Sequence, residues 1–311
     1  MFILYPDPYS LPCYRIGPFV TKDVAANAAL PVRDDIDDYF KNRFAGSSIT
    51  YTENGRKAIQ LALAYYNLAA GDVVTILTTS GNFYISGCVT KEIEQVCRWS
   101  RKIESDTRLV FINHEFGYPY ADLQSVKDLG FPIIEDCANT FYSRDAKDTI
   151  GTVGDFVIYS FPKIFRIQIG GILRCNIQGY KPPYQVEENL QQYIKNVLSD
   201  QLALEDENCS KRLHNHHYLA KKFEAFGCTP RFEPLPGTIP CVFMFSINDD
   251  SLDLGNLKNH FYAHGIQCSV FYGERAFFIP CHQALEDADL DYFTAVMKAF
   301  IMQNANTNVG S

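Results

Sequence analysis

The sequence predicts an α/β protein, a large domain with a mostly parallel central sheet followed by a smaller α+β domain. Two observations predict it. Short apolar runs of strand length alternate with segments of helical periodicity through the first half of the chain, which implies parallel strands covered on both faces. A length of 311 residues also exceeds one comfortable core and suits one large and one smaller domain.

Taken in order, residues 35–44 and 55–68 read as helices, the second with Ile59, Leu61, Leu63 and Ala64 forming an apolar face. Gly71-Asp72 ends it, and 73–77 reads as a strand. Three more apolar runs, 109–113, 132–134 and 156–161, have strand length, with a helix expected over 121–129 between the first two. A strand over 172–176 follows Gly170-Gly171, and the Gly/Pro-bearing break at 179–183 places the domain boundary between 1–182 and 183–311. Beyond it, 187–204, 207–226 and 252–264 read as helices, the last stopped by Gly265, and 242–247 and 267–271 as short strands. The polar tail from Gln303 is expected to fray.

Composition narrows the classes of function. At 47% hydrophobic and 21% charged residues the chain is globular rather than disordered. Its formal net charge is -8 and its basic residues never run beyond two, which removes the electrostatic footprint of a nucleic-acid binder. Ten scattered cysteines, among them Cys88, Cys97, Cys137, Cys175, Cys241 and Cys281, form no Cys-x-x-Cys pair and point to a reducing cytoplasm. The start, with prolines at 6, 8 and 12, lacks a signal peptide's basic end and apolar block, and no apolar run approaches the roughly 20 residues of a membrane span.

In parallel sheets ligands sit beyond the carboxyl ends of the strands, so residues just past each apolar run are the ones to inspect. Lys163, in Ser160-Phe161-Pro162-Lys163, occupies such a position. Partial desolvation there would lower its pKa, as a Schiff-base lysine requires; the plainer reading is a surface lysine in a loop. The run Phe131–Asn139, FPIIEDCAN, ends in Glu135-Asp136. A carboxylate leaving a buried strand needs a positive partner, and a protonated pyridine ring is one; an Asp capping the next turn is the alternative. Gly55 opens a helix in Asn54-Gly55-Arg56-Lys57, where free backbone N–H groups favour an anion such as phosphate, and Ser160 could add a hydroxyl.

The order of these motifs resembles the DegT-like sugar-nucleotide aminotransferases, a family of fold-type I enzymes that depend on pyridoxal 5'-phosphate (PLP), from about Ile36 to Ile301. The resemblance rests on the glycine-opened helix 54–58 followed by Gly71-Asp72-Val73-Val74, on Asn113-His114-Glu115-Phe116-Gly117-Tyr118-Pro119-Tyr120-Ala121-Asp122, and on Ile134-Glu135-Asp136-Cys137-Ala138. It implies that Lys163 holds the cofactor and shuttles the substrate proton, that Asp136 pairs with the pyridinium, and that Asn139 meets the ring hydroxyl. It further implies that Phe83, or Tyr84 beside it, stacks on the ring, and that Gly55, Arg56, Lys57 and Ser160 cradle the phosphate. His114, at a strand end, is a candidate for the same site, with a satisfied structural histidine as the alternative.

By the same resemblance, the expected reaction moves an amino group from glutamate to a keto sugar, nucleotide-linked, for amino-sugar and surface-polysaccharide biosynthesis, in a cytoplasmic homodimer. Departures keep other readings open. Two residues rather than four separate Ser160 from Lys163, Arg56 and Lys57 stand where small or hydroxyl residues are usual, and Gln168-Ile169 replace Gly-Glu. A PLP-dependent lyase or dehydratase, transfer onto a non-sugar ketone, and a non-catalytic protein on this fold are the alternatives. His214 and His217 could share a helix face, but without a Glu or Cys partner they read as a polar surface rather than a metal site. Arg275 reads as a surface ion pair or as a substrate-carboxylate receptor.

Overall fold

The computed structural model describes residues 13–308, so most of the proline-bearing start and residues 309–311 lie outside the description. The chain forms two compact units. One comprises Phe19–Glu205 with Pro236–Thr238; the other takes the residues up to Pro18, Asp206–Leu235 and the residues from Ile239 onward.

The first unit carries α1 (Asp23–Ala28), α2 (Asp35–Arg43), β1 (Ser48–Thr52), α3 (Gly55–Tyr65), β2 (Val73–Thr78), α4 (Gly87–Glu94) and β3 (Arg98–Ser100). There follow β4 (Thr107–Asn113), α5 (Leu123–Asp128), β5 (Ile133–Asp136), β6 (Phe156–Ser160), a 3-10 turn (Phe161–Lys163), β7 (Gly171–Cys175) and α6 (Glu188–Leu202). Its sheet runs β1-β7-β6-β5-β4-β2-β3. The pairs from β6 to β3 are parallel, while β7 runs antiparallel to both β6 and β1. The mostly parallel sheet is the one expected.

Both faces are covered, and the pleat decides which residue goes where. Leu109 and Phe111 of β4, Ile134 of β5 and Ile158 of β6 pack with Ala58, Ile59, Ala62 and Leu63 of α3. Val110, Ile112 and Ile133 point the other way, against Leu123 and Val126 of α5. Each such fully buried Leu, Ile or Phe contributes about 1.5–3 kcal/mol, so these alternating layers hold the strand ends in register.

The strand ends at Glu135 and Asp136, as expected, and both stay in the ladder opposite Ile112 and Asn113. One expectation shifts. The compact unit extends past 182 to Glu205, since α6 is bonded back onto it. Asn196 Oδ1 accepts from Arg33 N at 3.0 Å, the Lys195 ammonium pairs with Asp37 at 2.5 Å, and Gln201 Oε1 accepts from Arg166 N at 2.7 Å.

The second unit contains α7 (Glu205–Glu224), β8 (Cys228–Pro230), β9 (Val242–Ile247), α8 (Leu254–Ala263), β10 (Ser269–Val270), β11 (Ala276–Pro280) and α9 (Asp287–Asn308). Its antiparallel sheet runs β10-β11-β9-β8, an α+β arrangement as expected. Phe223, Phe243, Phe245, Phe261 and Phe277 lie in its core. α9 carries the tail from Gln303 as helix to Asn308, against the expectation of fraying. No helix among the described residues is long and apolar enough to cross a membrane. Among the described residues the cysteines form no disulfide.

Candidate active site at the strand ends

β5 and β6 are parallel neighbours, so their carboxyl ends emerge side by side. Asp136 pairs in register with Ile158, two residues before Ser160. Because side chains alternate, Asp136 and Ser160 share the α3 face with Ile134 and Ile158, and Glu135 is sent to the opposite face. The two adjacent acids therefore have separate tasks.

Asp136 is 7% exposed, and its Oδ1 accepts from Ala138 N at 2.9 Å. Burial pushes its carboxyl above the usual range, while the Ala138 amide and the charge of Lys163 pull the other way. The Lys163 charge therefore acts on the Asp136 carboxyl. A buried carboxyl held above its usual pKa is a site that a cation would relieve.

Lys163 ends the 3-10 turn that follows β6. Phe161 and Phe165 on either side of it are fully buried and pack on each other, ring centres 5.9 Å apart, and Phe165 packs on Phe141 at 5.0 Å. Phe165 N and Ile164 N both donate to Phe161 O, at 2.8 and 2.9 Å. Arg166 then ties the segment to the buried Asp23, 2.6 Å away. The backbone at Lys163 is firmly seated, yet its side chain is exposed in the single chain, so the desolvation expected there is not met.

At the start of α3 the Asn54 side chain accepts from Lys57 N at 3.0 Å, leaving the amides of Gly55 and Arg56 as the turn's remaining donors. Gly55 lies against Ser160: a Cβ on the glycine would come within 3.0 Å of Ser160 Cβ and 3.3 Å of its Oγ. Helix start and strand end therefore meet in a cradle that a side chain at 55 would fill. Arg56 is exposed at its rim. Lys57 departs from expectation, because its amine sits 4.7 Å from the centre of the Tyr184 ring, whose hydroxyl bonds Glu53. Tyr184 was not singled out in the sequence; its only signal was an aromatic residue in a Gly/Pro-bearing break.

The aromatic candidates separate. Phe83 is 61% exposed beneath the Arg101 guanidinium, 4.1 Å from its ring centre, and Arg101 also covers Trp99 of the edge strand β3. Tyr84 instead faces Phe116, just past the central strand β4, with ring centres 5.9 Å apart. Of the two, Tyr84 is the one turned toward the middle of the sheet. Asn139 is half-buried, in the turn closed by Thr140 N on Cys137 O.

His114 is corrected to its structural alternative. Fully buried, its Nδ1 accepts from Tyr120 N at 2.9 Å, which fixes the proton on Nε2, and Nε2 then donates to Glu135 at 3.1 Å. Glu135 also accepts from Gly151 N, Val153 N and Gly154 N at 2.8, 2.9 and 2.6 Å. Burial alone would raise the Glu135 carboxyl, but the His114 bond and these amides hold it below the usual range. Ligand atoms of His114, Glu135 and Cys137 lie within 4.8 Å of one another, yet the carboxylate is already saturated and burial pushes the thiol well up. The cluster is a hydrogen-bonded brace for the 151–154 loop.

In the second unit, His214 pairs with Asp287 at 2.9 Å, and Arg275 donates to the Asp249 and Leu252 carbonyls beside Asp250. Both take the plainer of their expected roles.

Residues 34–173 match the model of the DegT/DnrJ/EryC1/StrS aminotransferase family. A GDP-perosamine synthase of Escherichia coli O157:H7 is 27% identical over 143 residues, and one of Vibrio cholerae is 30% identical over 148; these stretches cover 39% and 40% of this chain. Each match spans only 39% of the relative's own length. Among solved structures, the aminotransferase TlmJ from Streptoalloteichus hindustanus superposes with a TM-score of 0.72 at 16% identity, covering 91% of this chain and 95% of that one. The PLP form of the sugar aminotransferase Spr1654 from Streptococcus pneumoniae gives 0.71 at 14% identity, covering 93% and 98%. The fold is that of these aminotransferases.

Proposed function

We propose, from the match of residues 34–173 to the DegT/DnrJ/EryC1/StrS aminotransferase family, that the protein is a PLP-dependent aminotransferase that carries an amino group from glutamate to a nucleotide-linked keto sugar. The single observation that carries the reading is the buried Asp136 carboxyl within electrostatic reach of Lys163, on adjoining strand ends, beside the Gly55–Ser160 cradle.

These residues fit the cofactor. The Asp136 carboxyl, raised by burial, calls for a cation such as a protonated ring nitrogen. The close approach of Gly55 to Ser160 and the amides of the first α3 turn suit a phosphate. Lys163 would hold the cofactor through its amine, Asn139 would meet its ring hydroxyl, and Tyr84 in place of Phe83 would stack on it. Gly55, Arg56 and Ser160 would take the phosphate, with Lys57 steadying the rim through Tyr184. Bound there, PLP supplies an electron sink for the substrate carbon. The chain's own part would be proton handling: the Lys163 amine would move a proton between the two substrate carbons, and Asp136 would be the partner of the ring nitrogen. Glu135 and His114 act at one remove, holding the 151–154 loop.

A partner subunit covering the exposed Lys163 would complete the site, which supports a homodimer by analogy with the fold. Amino-sugar and surface-polysaccharide biosynthesis in the cytoplasm is the setting this reading entails. The test is optical. The protein with PLP should be yellow, lose its visible band on adding glutamate as 2-oxoglutarate forms, and recover it with a keto sugar nucleotide; Lys163→Ala should lack the band. A colourless wild type with PLP rejects the proposal. Colour without 2-oxoglutarate, across a panel of keto sugar nucleotides, favours a lyase or dehydratase instead.

A further inference from the structure

On the sheet face opposite Asp136 and Ser160, the first unit has a partly open polar cavity of about 60 Å³, lined among others by Arg43, Thr140, Tyr159 and Arg174. Strand alternation sends Tyr159 and Arg174 there, since Ile158 of β6 and Leu173 of β7 face α3. A single water needs roughly 10–15 Å³ of such space, so the cavity has room for several waters or for one small ion.

Among the described residues neither guanidinium makes a direct ion pair, although the Glu205 charge acts on Arg43. Arg174 is 8% exposed, and of its five N–H donors only Nε is used, by Ser47 Oγ at 2.9 Å. Arg43 donates to the Tyr39 hydroxyl at 2.7 Å and to the Phe141 carbonyl, both neutral. Glu205 stands behind Tyr39, which donates to it at 2.9 Å. Glu135, the buried carboxylate on this face, is filled by the 151–154 amides and His114. At the wall, Asp148 faces Arg144 at 3.5 Å. Both guanidiniums lie on the Phe44 ring, at 5.4 and 4.8 Å from its centre, which fixes them without neutralising them. Burying unpaired cations is costly unless a counter-ion completes them.

The rest of the lining suits an anion. Thr140 Oγ1 is buried with no oxygen or nitrogen partner. Gly151, at φ 74° between the lining residues Ile150 and Thr152, packs closely on the two groups: a Cβ there would come 3.4 Å from Arg174 Nη1 and 2.9 Å from the Tyr159 hydroxyl. We infer that this cavity is a binding site for a small tetrahedral oxyanion of the phosphate or sulfate class, held by charge-assisted hydrogen bonds from Arg174 and Arg43 and separate from the cofactor cradle on the other face.

Thermal melting in sodium phosphate, against sodium chloride at equal ionic strength, tests this with the full chain. Wild type and Arg56→Glu, which places an acid at the cofactor cradle, should both show a saturating rise of at least about 2 °C, and Arg174→Gln should show none. No rise in the wild type, a rise lost in Arg56→Glu, or an equal rise in Arg174→Gln overturns the inference. Should Arg174→Gln fail to fold, wild-type crystals soaked in selenate decide: an anomalous selenium peak within hydrogen-bonding distance of the Arg174 guanidinium upholds the site, and its absence rejects it.

Discussion

At the scale of single residues, two adjacent acids are opposed in their effect on stability. The Asp136 carboxyl is raised by burial, so its folded-state pKa lies above the unfolded one. The folded state then binds this proton more tightly, and stability is lost as pH rises from the unfolded pKa through the folded one. Asp136→Asn should therefore leave the cofactor-free protein as stable or more stable at pH 7, while weakening PLP retention about tenfold or more; paired melting and PLP titrations check both arms. Glu135 has the opposite sign. Its folded pKa is depressed, so its contribution is present above the unfolded pKa and disappears as pH falls through the folded value. Glu135→Gln should cost about 1–3 kcal/mol in urea unfolding at pH 7 and flatten the acid side of the stability profile. In the sequence Asp136 was legible, because an acid at the tip of an apolar run has few inexpensive uses. His114 was not, since its role depends on Tyr120 N and Glu135, groups that a strand-end position does not disclose.

At the scale of elements, the site depends on two backbone approaches. Gly170, at φ 99°, is where a Cβ would press to 2.9 Å on Phe161 and 3.1 Å on Ile194, next to the turn that carries Lys163. Gly170→Ala should destabilise the fold by about 1–3 kcal/mol and impair PLP binding, read by urea unfolding and by the visible band. Removing the α3 cap with Asn54→Ala should cost about 1 kcal/mol and loosen the phosphate cradle, seen as faster loss of cofactor on dialysis. The apolar central strands were legible because burial on both faces leaves an uninterrupted hydrophobic run. β1 and β3 escaped notice: Ser48–Thr52 is short and half-polar, and Arg98–Ser100 is a three-residue edge strand, so each is defined by its long-range partner rather than by local pattern. α6 was seen as a helix but assigned beyond the boundary, because its bonds to Arg33, Asp37 and Arg166 span too much sequence to be read locally.

At the scale of the whole molecule, the proposed enzyme should be a homodimer, since the exposed Lys163 needs cover that one chain does not supply. Light scattering should give about twice the 35.3 kDa chain mass, and a mass of one chain would count against a shared site. The central claim is that one lysine among all those in the chain holds the cofactor, and it can be read directly. The protein is incubated with PLP, reduced with borohydride, digested and mapped by mass spectrometry. The account predicts the pyridoxyl adduct on Lys163, absent when Asp136→Asn is treated at limiting PLP; an adduct on Lys57 instead, or none on Lys163, would contradict it.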